Sequence, residues 1–408
     1  MEPLDRASAG PGFPGLIGHT DVRAGLSRAL ERGQLHHALL ILGPPGVGKS
    51  TLARGLGCAM HCPVAPGRGC GTCGTCRRVL AGHHAGVERL GDDSGDAIKV
   101  GDATNPAPGT ARELRARVSL APFEGDVHLV IIDPAEAVVP QAWNALLKLI
   151  EEPPAGVRFA IVAASPGAVL DTIASRCMPV RLGRLGDDEV RAVLGQMAAA
   201  EAAASAVATA GSKAPAGRAK PTARSKAGAD EPSPATERAR APLRAADPAR
   251  VELAVRLAEG SAGAAATRLA DPRFEAMIEL TAAVIAATRG GLPAIFSGDR
   301  GPLWQAWAAA CDGPKTGKPA RERAAAEAVA ALWRAHLREQ LRGGPGLPGL
   351  PVLPASPDGL LAAAAALGEL QRALERNNAN ARLALEATLL AVAAALAGSG
   401  GERPRAAP

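Results

Sequence analysis

A chain of 408 residues with 47% apolar and 2% aromatic side chains, and no Tyr, exceeds one compact core and must build its interiors from Ala, Leu and Val, which favours helix over β-sandwich. The formal charge is +6, but residues 201–250 carry nine Lys or Arg against five Asp or Glu, a surplus of four, so the remainder is close to neutral and net charge does not argue for direct nucleic-acid binding. No signal-peptide pattern opens the sequence and no charge-free apolar run reaches membrane-spanning length, so the chain reads as soluble, cytoplasmic and without a membrane partner.

The Gly- and Pro-rich opening, to about Phe13, reads as loose. Asp21 to Arg32 has a helical period in Val22, Leu26, Ala29 and Leu30. Ala38 to Leu42 is an apolar run stopped by Gly43-Pro44-Pro45-Gly46, the pattern of a buried parallel strand, and Ser50 to Met60 then predicts a helix. Between them Gly43 to Ser50 matches G-x-x-x-x-G-K-[ST] in full. Such glycines let backbone N–H groups curl around phosphates, the Lys neutralises the outer phosphates, and the Ser hydroxyl reaches Mg²⁺ at a helix N-terminus. The candidate nucleotide-binding residues are Gly43, Gly46, Gly48, Lys49, Ser50 and Thr51. A loop of this kind that binds ATP without turning it over stays open as a reading.

Cys62, Cys70, Cys73 and Cys76 follow, spaced C-x₇-C-x₂-C-x₂-C with Gly69, Gly71 and Gly74 between them. Close C-x-x-C turns let thiolates converge on one tetrahedral Zn²⁺, and four sulfur ligands leave no open position, so the site reads as structural, a module of about residues 58–78. Cys58 is a possible substitute ligand; His83 and His84 read as surface residues.

Val127 to Ile132 and Arg158 to Ala164 are two further buried strands with the Gln141 to Glu152 helix between them, implying a parallel sheet covered on both faces. Asp133 ends the first of these where it would hold the Mg²⁺ shell. The next residue is Pro134, which has no acid–base group, and Glu136 lies two farther on, so binding is expected and catalysis is not. Asp187 to Met197 and Arg250 to Ala270 have helical patterns. Between them, residues 200–249 lack large apolar side chains and read as a disordered basic insert, with a solubilising tether preferred over a DNA contact. Pro272 to about Ala397 is helical apart from a Gly/Pro loop at 343–359.

Taken together these residues resemble the AAA+ subunits of bacterial DNA polymerase III clamp loaders. The resemblance is carried by Ile17-Gly18-His19, the Leu35-His36-His37-Ala38 lead-in, the phosphate loop, the cysteine cluster and Asp133-Pro134-Ala135-Glu136. Asn144-Ala145-Leu146-Leu147-Lys148 with Glu151-Glu152-Pro153-Pro154, and Thr172-Ile173-Ala174-Ser175-Arg176-Cys177, complete it. It implies an α/β fold: an AAA+ P-loop parallel-sheet domain with a zinc-binding insertion at 1–181, a small helical lid at 182–270 interrupted by the insert, and an all-α collar at 271–400. It implies that Arg176 enters a neighbour's ATP site as an arginine finger; from the residues alone, helix capping or pairing with a local acid competes with that role. Ser165 falls where the family places a polar γ-phosphate sensor. The implied partners are gamma/tau and delta subunits in a hetero-pentameric ring and, through the ring, a sliding clamp and primer-template DNA. The ATP-hydrolysing gamma/tau type has a Glu after the Mg²⁺ Asp and an Arg in a G-S-x-R lid motif. Here those positions are Pro134 and Gly263 in Gly260-Ser261-Ala262-Gly263, which points to a non-hydrolysing member. A motor subunit of the same ring, and an AAA+-like scaffold outside replication, remain the alternatives.

Overall fold

A computed structural model describes residues 12–91, 96–102, 104–118, 127–211, 247–271, 273–290, 302–311, 318–353, 355–376 and 380–397. The chain divides into two compact units, Met1–Arg244 with Ala258–Thr267, and Ala245–Leu257 with Arg268–Pro408.

The first unit is built on five parallel strands, β1 (Ala38–Leu42), β2 (Val87–Leu90), β3 (His128–Ile132), β4 (Val157–Ala163) and β5 (Met178–Arg181), in the order β2-β3-β4-β1-β5. Every residue of β1 and β3 is buried. An all-apolar strand still alternates, because successive side chains leave opposite faces of the pleat. Leu40, Leu42, Val130, Ile132, Phe159 and Ile161 pack on one face with Trp143, Leu146 and Ile150 of α5 (Pro140–Glu151). Leu39, Ile41, Leu129, Ile131 and Val162 pack on the other with Leu52 and Leu56 of α2 (Lys49–His61) and Leu26 of α1 (Thr20–Glu31). Each such Leu or Ile contributes roughly 1.5–3 kcal/mol by leaving water. Pro140 opens α5, where its missing N–H costs nothing.

Several elements of this unit have no counterpart in the sequence reading. β2 and β5 are edge strands, and α4 (Ala111–Val118) packs Ala111, Leu114 and Val118 onto the α5 face. The sequence of β2 is Val-Glu-Arg-Leu and that of β5 is Met-Pro-Val-Arg. An edge strand tolerates charge and proline that a central one does not, so neither has the apolar run that betrays β1. The cysteine stretch also contains a short helix, α3 (Gly74–Leu80).

The single helix expected over Arg250 to Ala270 is two, α8 (Pro248–Leu257) and α9 (Ala262–Ala270). They are separated by Glu259 at φ 47° and Gly260 at φ 79°. A Cβ on Gly260 would stand 2.5 Å from the Leu185 carbonyl oxygen, and the Leu185 N–H donates to the Gly260 oxygen at 2.9 Å. The turn therefore needs a residue without a side chain there. The helix expected at Asp187 to Met197 continues as α7 through Gly211, and α8 starts at Pro248, so both ends of the expected insert are helical. Its centre, residues 212–246, lies outside the described residues, as does the expected loose opening up to residue 11.

The second unit is helical: α8, α10 (Phe274–Gly290), α11 (Pro302–Ala310), α12 (Lys318–Leu341), α13 (Pro357–Arg376) and α14 (Ala381–Ala397). On α13 the buried residues Leu360, Ala363, Leu367, Leu370 and Leu374 recur at alternating steps of three and four, the seam of a helix pair. Leu385, Leu389 and Val392 of α14 and Trp333 of α12 are likewise buried. The Thr281 and Thr288 hydroxyls of α10 are satisfied by donating to the Met277 and Ile285 carbonyls. The loop expected at 343–359 lies between α12 and α13. Among the described residues no helix is long and apolar enough to cross a membrane.

Candidate nucleotide site and cysteine cluster

The strand β1 ends at Leu42, and the chain turns through Gly43 (φ 154°), Gly46 (φ 75°) and Gly48 (φ 102°) before α2 begins at Lys49. These positive φ values are inaccessible without strain to residues carrying a Cβ. No side chain caps the start of α2, so its first-turn N–H groups remain available to an anion, and the helix dipole favours negative charge there. The loop borders a cavity of about 580 Å³ lined by Gly46, Gly48, Lys49, Ser50, Thr51, Asp133 and Glu136, with Leu16, Ile17, Leu185, Val193 and Met197 at its apolar parts. The donor set suits a polyphosphate and the apolar set suits a flat base.

Lys49 Nζ donates to the Gly43 and Pro44 carbonyls at 2.7 and 2.9 Å. Burial lowers its pKa, with Glu136 and Asp133 pulling it back up. The buried Asp133 accepts from Arg89 Nη2 at 3.2 Å on Oδ2, and the same nitrogen lies 3.4 Å from the Asp133 carbonyl. Glu136 Oε1 accepts from the Ala164 N–H at 2.6 Å. Gly43 is set behind the cavity, where a Cβ would meet the Leu182 carbonyl oxygen at 2.4 Å. Ser165 is exposed at the head of a 3₁₀ turn, with Ala164 rather than Ser165 facing the cavity.

From the start of α9, the N–H of Gly263 donates to the Gly46 carbonyl at 3.0 Å and the Ser261 hydroxyl to the Pro45 carbonyl at 2.8 Å. A Cβ on Gly263 would stand 2.8 Å from Gly46 Cα. The start of α9 and the phosphate loop are thus in backbone contact, with no room for a side chain between them.

Arg176 follows α6 (Asp171–Ala174). Its Nε pairs with Glu151 Oε1 at 2.9 Å, its Nη1 donates to the Thr172 carbonyl at 2.7 Å, and its side chain remains 46% exposed. It therefore has a carboxylate partner in its own unit but is not sealed inside it. An exposed pair of this kind is worth on the order of 0–1 kcal/mol and exchanges readily.

The four cysteines converge. The sulfurs of Cys62, Cys70, Cys73 and Cys76 all lie within 4.8 Å of one another, with Cys62–Cys73 at 3.9 Å and Cys70–Cys76 at 4.0 Å. Backbone N–H groups of Ala65 and Cys70 point at Cys62 Sγ, that of Cys73 at Cys70 Sγ and that of Cys76 at Cys73 Sγ. Such donors favour thiolates. Burial pushes the Cys70 thiol up, but hydrogen bonds from Cys73 and Thr72 outweigh it and hold the thiol down at about 6. The geometry and donor set fit Zn²⁺. Cys58 stands apart: it is buried, its Sγ directed at the Cys76 carbonyl at 3.7 Å, and burial pushes it up to about 11. His84, expected at the surface, is buried with its ring 4.5 Å from that of His61, and its Nδ1 accepts from the Gly86 N–H.

Arg89 is the residue sequence reasoning missed. It lies 44 positions from Asp133 and is brought beside it because β2 pairs with β3, Arg89 opposite Ile131.

Residues 18–186 match the family described as "DNA polymerase III, delta subunit". DNA polymerase III subunit tau of Salmonella typhimurium is 33% identical over 183 residues, covering 44% of this chain and 26% of that one. Subunit gamma/tau of Mycobacterium tuberculosis is 32% identical over 190 residues, covering 46% and 32%. The chain thus spans about a quarter to a third of the length of these relatives. A solved DNA polymerase III gamma subunit-related protein of Thermotoga maritima covers 91% of this chain and 98% of its own at 13% identity, with a TM-score of 0.36. Residues 18–186, in the first unit, are thus similar in sequence to a DNA polymerase III subunit family, and the chain to DNA polymerase III tau and gamma/tau subunits over a similar length.

Proposed function

We propose that this chain is the delta-prime type of clamp-loader subunit of a bacterial DNA polymerase III holoenzyme, a largely stationary member of a cytoplasmic replication complex. In this reading residues 1–181 form the AAA+ domain, 182–270 the lid and 271–400 the collar. The partners are gamma/tau and delta subunits in a hetero-pentameric ring, with the sliding clamp and primer-template DNA reached through the ring. ATP enters the cavity at Gly46 to Thr51, with weak or no turnover. Zn²⁺ held by Cys62, Cys70, Cys73 and Cys76 would cross-link the stretch between α2 and α3 and take no part in chemistry.

One observation carries the assignment to a non-hydrolysing subunit. Gly263, where the motor type has a lid Arg, is in backbone contact with Gly46, leaving no space for a guanidinium to reach phosphate. Pro134 removes the adjacent carboxylate as well. The resemblance also implies Mg²⁺ beside Ser50 and Asp133. Here Asp133 Oδ2 is paired with Arg89, so a metal would have to share a carboxylate whose charge is already balanced, and the site fits it poorly.

Arg176 would act in trans, its planar and permanently charged fork meeting a neighbour's γ-phosphate. Its exposure supports this, and Glu151 would hold it in readiness until the neighbour's nucleotide competes. The test is reconstitution with gamma/tau and delta. Arg176→Ala should leave assembly intact and cut the neighbour's ATP hydrolysis by roughly 10³-fold or more, the range of other arginine fingers; unchanged hydrolysis refutes the role.

One observation favours the motor reading: Glu136 lines the cavity beside Lys49. Robust ATP turnover by the purified chain, abolished in Glu136→Gln, would replace the stationary reading with that one.

A further inference from the structure

We infer that Arg89 occupies, at Asp133, the place a divalent cation would take, so that the phosphate loop binds nucleotide without requiring Mg²⁺. The inference rests on the reading of the cavity as a nucleotide site and adds the cation requirement of that site.

Mg²⁺ demands near-ideal octahedral oxygen ligation at about 2.0–2.1 Å and gives up its waters reluctantly, so a protein usually offers it one or two free carboxylate oxygens. The cavity has two carboxylates, Asp133 and Glu136, and each has an oxygen committed to a protein donor. Asp133 Oδ2 accepts from Arg89 Nη2 at 3.2 Å, and Glu136 Oε1 accepts from the Ala164 N–H at 2.6 Å. The Asp133 side chain is only 8% exposed and that of Arg89 32% exposed, so the pair is partly withdrawn from solvent and its attraction is less screened than at the surface.

The arrangement is fixed by the sheet. Arg89 stands on edge strand β2 opposite Ile131, one place short of the strand's end, and its nitrogen reaches both the carboxylate and the backbone carbonyl of Asp133. Arginine holds its charge at any physiological pH, so the cation is always present. Lys49 lines the cavity as well, close enough to feel Asp133 and Glu136, so a second protein cation already acts on the same carboxylates before any metal arrives. A divalent ion on the remaining oxygen of Asp133 would share a carboxylate whose charge the guanidinium already balances.

The experiment is a fluorescence-anisotropy titration of the full chain with N-methylanthraniloyl-ATP, once in EDTA and once in millimolar Mg²⁺. Wild-type affinity should agree within about threefold between the two, while Arg89→Met should become about tenfold tighter or more in Mg²⁺ than in EDTA. Arg89→Lys, which keeps a charge, should behave as the wild type does. A wild-type chain that binds at least about tenfold tighter in Mg²⁺ overturns the inference and leaves the nucleotide reading standing. Absence of binding in both buffers removes the nucleotide reading and the inference with it. A nucleotide-dependent bound signal in Mn²⁺ electron paramagnetic resonance of the wild type also overturns it, and that measurement needs no variant to fold.

Discussion

Replacing Cys76 by Ala should abolish zinc binding, whereas replacing Cys58 by Ala should not. A tetrahedron with Zn–S bonds of about 2.3 Å has S···S edges of about 3.8 Å. The Cys62–Cys73 and Cys70–Cys76 separations are 3.9 and 4.0 Å, and no pair among the four exceeds 4.8 Å, so the sulfurs need only a small contraction to close on the ion. Cys58 lies one helical turn before Cys62, and its sulfur is engaged with the Cys76 carbonyl. The energetic consequences diverge accordingly. Structural zinc supplies roughly 10–16 kcal/mol of apparent folding free energy in small peptides. α3 has seven residues, too few to persist alone when helices under about 12–15 residues are marginal in water. Cys76→Ala should therefore melt residues 62–80 locally while the sheet persists. Cys58→Ala should cost about 1–2 kcal/mol of ordinary core packing. The assays are zinc per chain by colorimetric release, with one equivalent expected in wild type and Cys58→Ala and none in Cys76→Ala, and hydrogen exchange over 62–80. A Cys76→Ala protein that keeps its zinc, or a Cys58→Ala protein that loses it, refutes the ligand assignment.

Two further outcomes follow from contacts elsewhere. Restoring the motor-type arginine by Gly263→Arg should not create an ATPase. Its Cβ alone would stand 2.8 Å from Gly46 Cα, so the expected result is a loss of about 1–3 kcal/mol in urea denaturation, and an unchanged midpoint would mean that lid and loop part freely. In the second unit, the fully buried His336 accepts from the Leu347 N–H on Nδ1 at 2.9 Å and pairs through Nε2 with the Pro351 carbonyl at 3.0 Å, which makes it a neutral imidazole with its proton on Nε2. Burial lowers its pKa, opposed by the Pro351 bond. The unfolded chain then takes up the proton first, so the stability from this residue is complete above about pH 6.5 and is lost as pH falls below that value toward the folded pKa. The urea midpoint should drop more between pH 7.5 and 5.5 in wild type than in His336→Phe, and equal drops would refute the role.

How far the sequence could be read depended on whether a residue's partner was near in sequence or only in space. β1, the phosphate loop and α2 were legible because an apolar run, glycines and a helical period succeed one another without interruption. The cysteines converge as their spacing predicts, since short C-x-x-C turns leave little freedom. Glu88 and Arg89 hid β2, because charge is compatible with an edge strand and uninformative by itself. Without β2 beside β3 there was no reason to connect Arg89 with Asp133, although the pairing register does so at once. Glu259 gave no warning of its left-handed backbone, so one helix was expected where there are two. Family position put Ser165 at the γ-phosphate, yet just past the end of β4 it is Ala164 that lines the cavity, while Ser165 heads the 3₁₀ turn that follows.

The outer strand β5 has a consequence for how this molecule meets others. Pro179 sits in its middle, opposite Leu40 of β1, and has no N–H to offer on the open side. Another polypeptide laid along that margin would find the donor ladder broken at its centre, so the sheet cannot be lengthened there by backbone pairing. Any neighbour approaching from this side has to be recognised through side chains. The first residues before that margin with reach and charge to do it include Arg176.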